Sequence, residues 1–296
     1  METKYNVVGI GEILWDLLPQ GKVLGGAPAN FAYHAHQLGA EGYVISSIGK
    51  DELGEEILTQ LSNYDLNLYL EKVDYPTSTV IVKLSGKGVP EYEIIKDVAW
   101  DYLSLTPDSY HLASETDAVC FGSLAQRNSV SRKVISDFVK LVPANALKIF
   151  DINLRQKFYS RDLIEDSLKM ANVLKINDDE LKLITGLFGW SEASDEELCQ
   201  NLLNNFGLKQ VALTCGTNGS HLYTESEQSS LSTPIVEVKD TIGAGDSFTA
   251  GMAMGLLTNK SLKESHSIAV ELSAYVCTHD GAMPEHPSYF KQLLQL

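Results

Sequence analysis

Six short runs rich in β-branched and apolar residues punctuate the chain: Tyr5–Ile10, Gly42–Ile48, Asp117–Phe121, Leu147–Ile152, Asn172–Ile176 and Gln210–Thr214. Between them lie longer stretches whose apolar residues recur at helical spacing, among them Ala29–Leu38, Leu53–Leu61, Ser131–Leu141, Leu163–Met170 and Asp195–Phe206. Strand runs that alternate with amphipathic helices need a crossover between successive strands. The pattern therefore predicts an α/β fold, with a mostly parallel central sheet covered by helices on both faces. In such a sheet ligands bind at the carboxyl ends of the strands.

Two regions break the rhythm. Leu66–Val73, Ser78–Leu84 and Glu91–Lys96 follow one another with turn residues between them and no helix. They read as a small antiparallel β insertion, either an edge meander of the core or a lid over a cleft. The segment Leu213–Val238 also reads as antiparallel, with turns at Gly216–Gly219 and Glu225–Ser229. Two long helices follow, Asp246–Leu257 and Leu262–Thr278.

Charge narrows the partners. The 23 Lys and Arg face 39 Asp and Glu, a formal charge of −16 over 296 residues. Such a surface repels nucleic acid and anionic membrane. A small anionic ligand is still compatible, since backbone N–H groups can cradle phosphate inside an acidic protein. The four cysteines form no C-x-x-C pair, and Glu12 and Asp16 interrupt any apolar run near the start. A soluble, cytoplasmic chain with free thiols is expected.

Common nucleotide motifs are missing. No G-x-x-x-x-G-K-[ST] occurs, and Leu14 stands where G-x-G-x-x-G after the first strand needs its third glycine. The seven histidines make no metal-ligand spacing with the cysteines. The informative stretch is Lys239-Asp240-Thr241-Ile242-Gly243-Ala244-Gly245-Asp246-Ser247-Phe248, where small residues precede an apolar helix. Backbone N–H groups of Gly243, Ala244 and Gly245 can there converge on an anion at the positive end of the helix dipole. An aspartate at a helix start is commonly a cap. Beside an anion hole, however, Asp246 could take the proton of a hydroxyl that attacks phosphorus, and an ordinary carboxylate pKa would suffice if the proton moves late.

This stretch resembles the C-terminal signature of the ribokinase-like carbohydrate kinases. Gly25-Gly26-Ala27-Pro28-Ala29-Asn30, with Ser47-Ile48-Gly49-Lys50-Asp51-Glu52-Leu53-Gly54 beyond it, resembles their N-terminal signature. The similarity covers nearly the whole chain. It implies a single kinase domain over residues 1–296, with a β lid inserted at 66–98 and part of 12–24 contributing. It also implies ATP as phosphate donor, Asp246 as general base and Gly243, Ala244 and Gly245 as anion hole.

Further roles follow from the same resemblance. Asp16, Gly26 and Asn30 would hold a sugar. Phe121-Gly122-Ser123-Leu124-Ala125-Gln126-Arg127 and Asp151-Ile152-Asn153-Leu154-Arg155 are more similar to fructokinases than to ribokinases, which brings Arg127, Asn153 and Arg155 to the substrate. Kinases of 2-keto-3-deoxygluconate carry a similar Asp-x-Asn-x-Arg run, so a sugar acid is the alternative to fructose. Asn177, Thr214, Gly216 and Gly219 would serve the nucleotide. Glu180 would hold Mg²⁺ through water, although Asn-x-x-Glu at a helix start is also a capping pattern. Asp240 and the carbonyl of Ile242 would flank a monovalent cation, K⁺, with a far wall in Cys277–Ala282. Apolar lid positions Leu68, Leu70, Val80, Val82, Tyr92 and Ile94 suggest a homodimer through the lid. The non-enzyme reading is a sugar- or nucleotide-binding regulator on the same fold.

Overall fold

The computed structural model describes residues 4–18, 21–84, 90–191 and 193–295. The chain opens with β1 (Asn6–Ile10), β2 (Leu14–Leu18), β3 (Gly21–Gly25), α1 (Ala27–Gln37), β4 (Glu41–Gly49), α2 (Glu52–Ser62) and β5 (Asn67–Val73). Next come β6 (Ser78–Leu84), β7 (Pro90–Ile94), α3 (Pro107–Glu115), β8 (Ala118–Phe121), α4 (Ser129–Leu141), β9 (Leu147–Asp151), α5 (Arg161–Met170) and β10 (Val173–Asn177). The C-terminal part holds α6 (Asp178–Phe188), α7 (Asp195–Phe206), β11 (Gln210–Thr214), β12 (Ser220–Tyr223), β13 (Gln228–Leu231), α8 (Ala244–Leu257), α9 (Leu262–Cys277) and α10 (Tyr289–Leu294).

Nine strands form the main sheet in the order β13-β12-β11-β10-β9-β8-β1-β4-β5. From β11 to β5 every neighbouring pair is parallel; β12 and β13 close one edge in antiparallel fashion. Both faces are covered. Apolar residues of α3 to α7 (Leu112, Ile135, Ile164, Ile184, Leu202) pack on one face. Those of α1, α8, α9 and α10 (Phe31, Phe248, Leu272, Phe290) pack on the other. Burial on both sides explains why the central strands read as continuous apolar runs without alternation. The chain leaves β1 toward β4 on one side and later resumes at β8 on the other. The strand order therefore switches at β1, and the carboxyl ends there form the natural ligand crevice.

A second, four-stranded sheet runs β3-β2-β6-β7. It consists of two antiparallel hairpins, β2–β3 and β6–β7, joined where β2 meets β6. It is smaller than the 66–98 insertion expected from sequence. Leu66–Val73 does not belong to it: β5 pairs along its whole length with β4, Tyr43 opposite Asn67 through Gly49 opposite Val73, as the parallel edge of the main sheet. The reason is the crossover through α2, which returns the chain parallel to the strand it left. The partner of β6 is β2, from far earlier in the sequence. Of the apolar positions expected on the lid, Leu68 and Leu70 pack within the chain beside Leu61 and Leu66. Val80 and Ile94 are buried at 4% and 8% exposure. The side chains of Val82 and Tyr92 fall outside the described residues.

Candidate active site

A polar cavity of about 620 Å³ opens at the carboxyl ends of β1, β9 and β10, between them and the small sheet. Its walls include Glu12 after β1, Asp16 on β2, Gly26 just before α1 and Asn30 on it, and Asn153 and Arg155 after β9. Lys175 and Asn177 on β10, Glu180 on α6, and Ile242, Gly243, Gly245 and Asp246 complete it, with Val80 and Ile94 of the small sheet above. A second cavity of about 500 Å³ is mostly apolar, and Thr214, Gly216 and Gly219 line it with Ile235, Val236, Val238, Val270 and Ala274. The two share Thr241 and Gly245. They are the two arms of one cleft, joined at the start of α8.

The loop before α8 is built for close approach. Gly243 caps the helix in the left-handed region (φ 77°), where a Cβ would meet the carbonyl of Ala282 at 2.7 Å. Asp240 fixes the turn by accepting the N–H of Ile242 (3.0 Å) and of Gly281 (3.2 Å), which ties the loop to the segment after α9. Asp246 sits three residues beyond the cap, and no side chain caps this helix. Its carboxylate instead accepts a hydrogen bond from Asn30 Nδ2 at 2.7 Å, across 216 residues of sequence. Burial, with the nearby Asp151 charge, pushes Asp246 up to about 6, while Asn30, Lys175 and Arg155 draw it back. The carboxyl is thus a better base than an ordinary aspartate, although the sequence reading required no more than an ordinary one.

Beneath the start of α8 lies a buried ion pair. Lys175 Nζ meets Asp151 Oδ1 at 3.1 Å, with side-chain exposures of 10% and 5%. Thr249 of α8 donates to the other Asp151 oxygen at 3.0 Å. Burial alone would lower Lys175, but Asp151, Glu180 and Asp246 hold it above its ordinary value, so it stays charged. A Cβ placed on Gly245 would lie 3.0 Å from Nζ. The glycine therefore lets a full positive charge come up against the first turn of α8. Sequence reading missed Lys175 and Asp151; a charged residue inside an apolar strand, with a partner at the equivalent end of the neighbouring strand, was the available signal.

The Asn-x-x-Glu run forms a capping box: Asn177 Oδ1 accepts the Glu180 N–H (2.8 Å) and Glu180 Oε2 accepts the Asn177 N–H (2.9 Å). Glu180 Oε1 also accepts the Leu154 N–H at 2.8 Å, which locks the Asn153–Arg155 loop. Asn177 and Glu180 face the polar cavity, whereas Thr214, Gly216 and Gly219 face the apolar one. Asp16, raised by burial and opposed by Arg155, lies where a Cβ on Gly25 would come within 2.6 Å of its Oδ2. Asn153 takes a left-handed φ of 40°, which turns the chain into the cavity.

One expected residue is elsewhere. Arg127 is absent from the cavity walls. Its guanidinium pairs with both oxygens of Asp101, each at 2.8 Å, and stacks on Trp100 (4.0 Å) and Phe158 (4.6 Å). A buried Asp101, 1% exposed, needs that cation. Arg127 is a packing residue here, and the arginine that lines the cavity is Arg155.

The chain was compared with known proteins. It is 28% identical to an ATP-dependent 6-phosphofructokinase of Thermoanaerobacterium thermosaccharolyticum over 97% of this chain and 92% of that one. It is 28% identical to a probable fructokinase of Arabidopsis thaliana over 95% and 90%. The crystal structure of an uncharacterized sugar kinase from Pyrococcus horikoshii superposes with a TM-score of 0.82, at 26% identity, over 98% of this chain and 97% of that one. The same Pyrococcus protein in complex with ATP gives 0.76 over 94% of each chain. The pfkB family carbohydrate kinase model matches residues 20–288. The chain belongs to the pfkB family of carbohydrate kinases.

Proposed function

We propose that this protein is a cytoplasmic, Mg²⁺- and ATP-dependent kinase that phosphorylates a hydroxymethyl group of a monosaccharide, fructose foremost. The observation that carries the reading is the position of Asp246. It is a carboxylate of raised pKa at the junction of a polar and an apolar cavity, held by Asn30 and flanked by the N–H groups of a helix start. The sugar occupies the polar arm, against Asp16, Gly26, Asn30, Asn153 and Arg155. The adenosine lies in the apolar arm against Val236, Val238 and Val270, and its phosphates point toward α8.

Asp246 takes the proton of the acceptor hydroxyl while that oxygen forms its bond to the γ-phosphorus. The bond from phosphorus to the bridging oxygen breaks, and ADP carries away the electron pair. The N–H groups of Gly243 and Gly245, joined by that of Ala244 once it leaves the Thr241 carbonyl it meets at 3.3 Å, stabilise the oxygens of the transferring group with the Lys175 charge beneath. The small sheet bearing Asp16, Val80 and Ile94 acts as the lid that keeps water from competing as acceptor. No group of three His, Cys, Asp or Glu suited to a metal occurs among the described residues. That fits Mg²⁺, which keeps most of its waters and binds chiefly to phosphates. Glu180 and Asn177 would hold those waters, and when bound the ion would neutralise charge on the phosphates. K⁺ would sit against the carbonyl of Ile242 in the turn shaped by Asp240.

Arg155 on the cavity wall gives a second reading, a sugar acid such as 2-keto-3-deoxygluconate, whose carboxylate the arginine would meet. ADP release measured with fructose, ribose, 2-keto-3-deoxygluconate, adenosine, fructose 1-phosphate and fructose 6-phosphate decides. Fructose should give the highest kcat/KM. A higher value for any other acceptor overturns fructose as substrate, and no turnover with any of them favours a sugar-binding regulator.

A further inference from the structure

Glu12 stands at the carboxyl end of β1, beside the switch in strand order, and is only 3% exposed. It lines the polar cavity with Asp16, Asn30, Arg155 and Asp246. Its Oε2 is buried and makes no hydrogen bond among the described residues. The Oδ1 of Asn30 is in the same condition, because the amide's one bond runs from Nδ2 to Asp246. Two residues that line one cavity thus each carry a buried acceptor without a donor. A buried polar atom left unpaired costs the full desolvation of that group, so native proteins keep few of them. A molecule that brings two O–H donors removes both defects at once, and neighbouring hydroxyls of a sugar are such a pair.

We propose that Glu12 is a specificity-determining residue that grips the acceptor: its free carboxyl oxygen and the free Oδ1 of Asn30 each receive a sugar hydroxyl. This rests on reading the polar cavity as the sugar site. The charges facing Glu12 agree with the role. A hydrogen bond from its own backbone N–H and then the charge of Arg155, from the loop after β9, favour the carboxylate, while Asp246 of α8 and Asp151 of β9 oppose it. Burial is the largest influence and pushes the carboxyl up to about 7. Near neutrality the group therefore changes between a pure acceptor and an acid that can also donate, and its grip on hydroxyls should change with it. A residue kept only for stability would not be charged here, since an apolar side chain of the same size avoids the desolvation cost.

The test compares Glu12→Gln and Glu12→Met with the wild type, using whichever acceptor of the screen above the wild type turns over best. Both variants should raise the KM for that acceptor at least tenfold while the KM for ATP stays within twofold. Tm should hold or rise, because a buried charge has been removed. The acceptor KM of the wild type should vary between pH 6 and 8, and that variation should vanish in Glu12→Gln. An acceptor KM within twofold of wild type in Glu12→Gln overturns the proposal whatever happens to Tm, and Glu12→Gln alone decides should Glu12→Met fail to fold. Fructose failing in the wild type would overturn only the choice of fructose, leaving Glu12 to be judged on the sugar that succeeds.

Discussion

Replacing Lys175 by Met would separate what the buried ion pair does for the fold from what it does for the reaction. At 3.1 Å the Lys175–Asp151 attraction is about 5 kcal/mol with an effective dielectric constant of about 20. Removing only the cation leaves Asp151, 4% exposed, without its charge partner and supported by Thr249 alone. Breaking one side of a buried pair costs about 3–5 kcal/mol. Against a typical total stability of about 5–15 kcal/mol, Lys175→Met should fold but melt far earlier in urea. Adding Asp151→Asn removes the stranded charge and keeps an oxygen for Thr249, so the double variant should regain most of the loss. Activity should not return with it. The anion hole would still lack the cation behind Gly245, and kcat should stay down by about 10²–10³, the scale of losing one electrostatic stabiliser of the transition state. In the single variant the Asp246 inflection should also rise above about 6, because Lys175 is one of the groups holding it down. Urea denaturation and a coupled ADP assay on the three proteins read all of this. A single variant as stable as wild type, or a double variant with wild-type kcat, would refute the placement of Lys175.

Arg127→Met should lose about 3–5 kcal/mol of stability by stranding the buried Asp101, yet leave the acceptor KM within twofold. A raised acceptor KM at unchanged stability would return Arg127 to the substrate. The pH dependence of kcat at saturating acceptor should rise with pH through about 6 and level off above, since the base works only when ionised and its pKa is raised to about 6. Because Glu12, Asp151 and Asp246 interact, that apparent value belongs to the cluster. A flat profile between pH 5 and 8 would contradict the assignment.

Most of the main sheet was legible because its strands are buried on both faces and read as unbroken apolar runs. The tight loop before α8 was legible because Gly243, Ala244 and Gly245 are small, and small residues before an apolar helix show in one dimension. What stayed hidden depended on contacts distant in sequence. The edge strand β5 looked like part of a meander, because nothing in Leu66–Val73 announces whether β4 or β6 is its neighbour. Arg127 and Arg155 looked alike at the ends of adjacent strands; only the position of Asp101 beside Arg127 separates them. Glu12, Asp151 and Lys175 interrupt apolar strand ends, where a charge reads as a strand boundary until its burial is known. The wall of the apolar cavity at 233–238 has no regular structure and so carries no periodicity.

The central claim is that Asp246 takes the acceptor's proton while other residues hold the sugar. Asp246→Asn keeps the shape of the side chain and removes the base, so one measurement on that variant tests it directly. Phosphoryl transfer in a single turnover at pH 7.5 should fall by about 10³ or more, with sugar binding measured by calorimetry within a few-fold of wild type. A variant that binds sugar and still transfers phosphate at close to the wild-type rate would show that the proton leaves by another route.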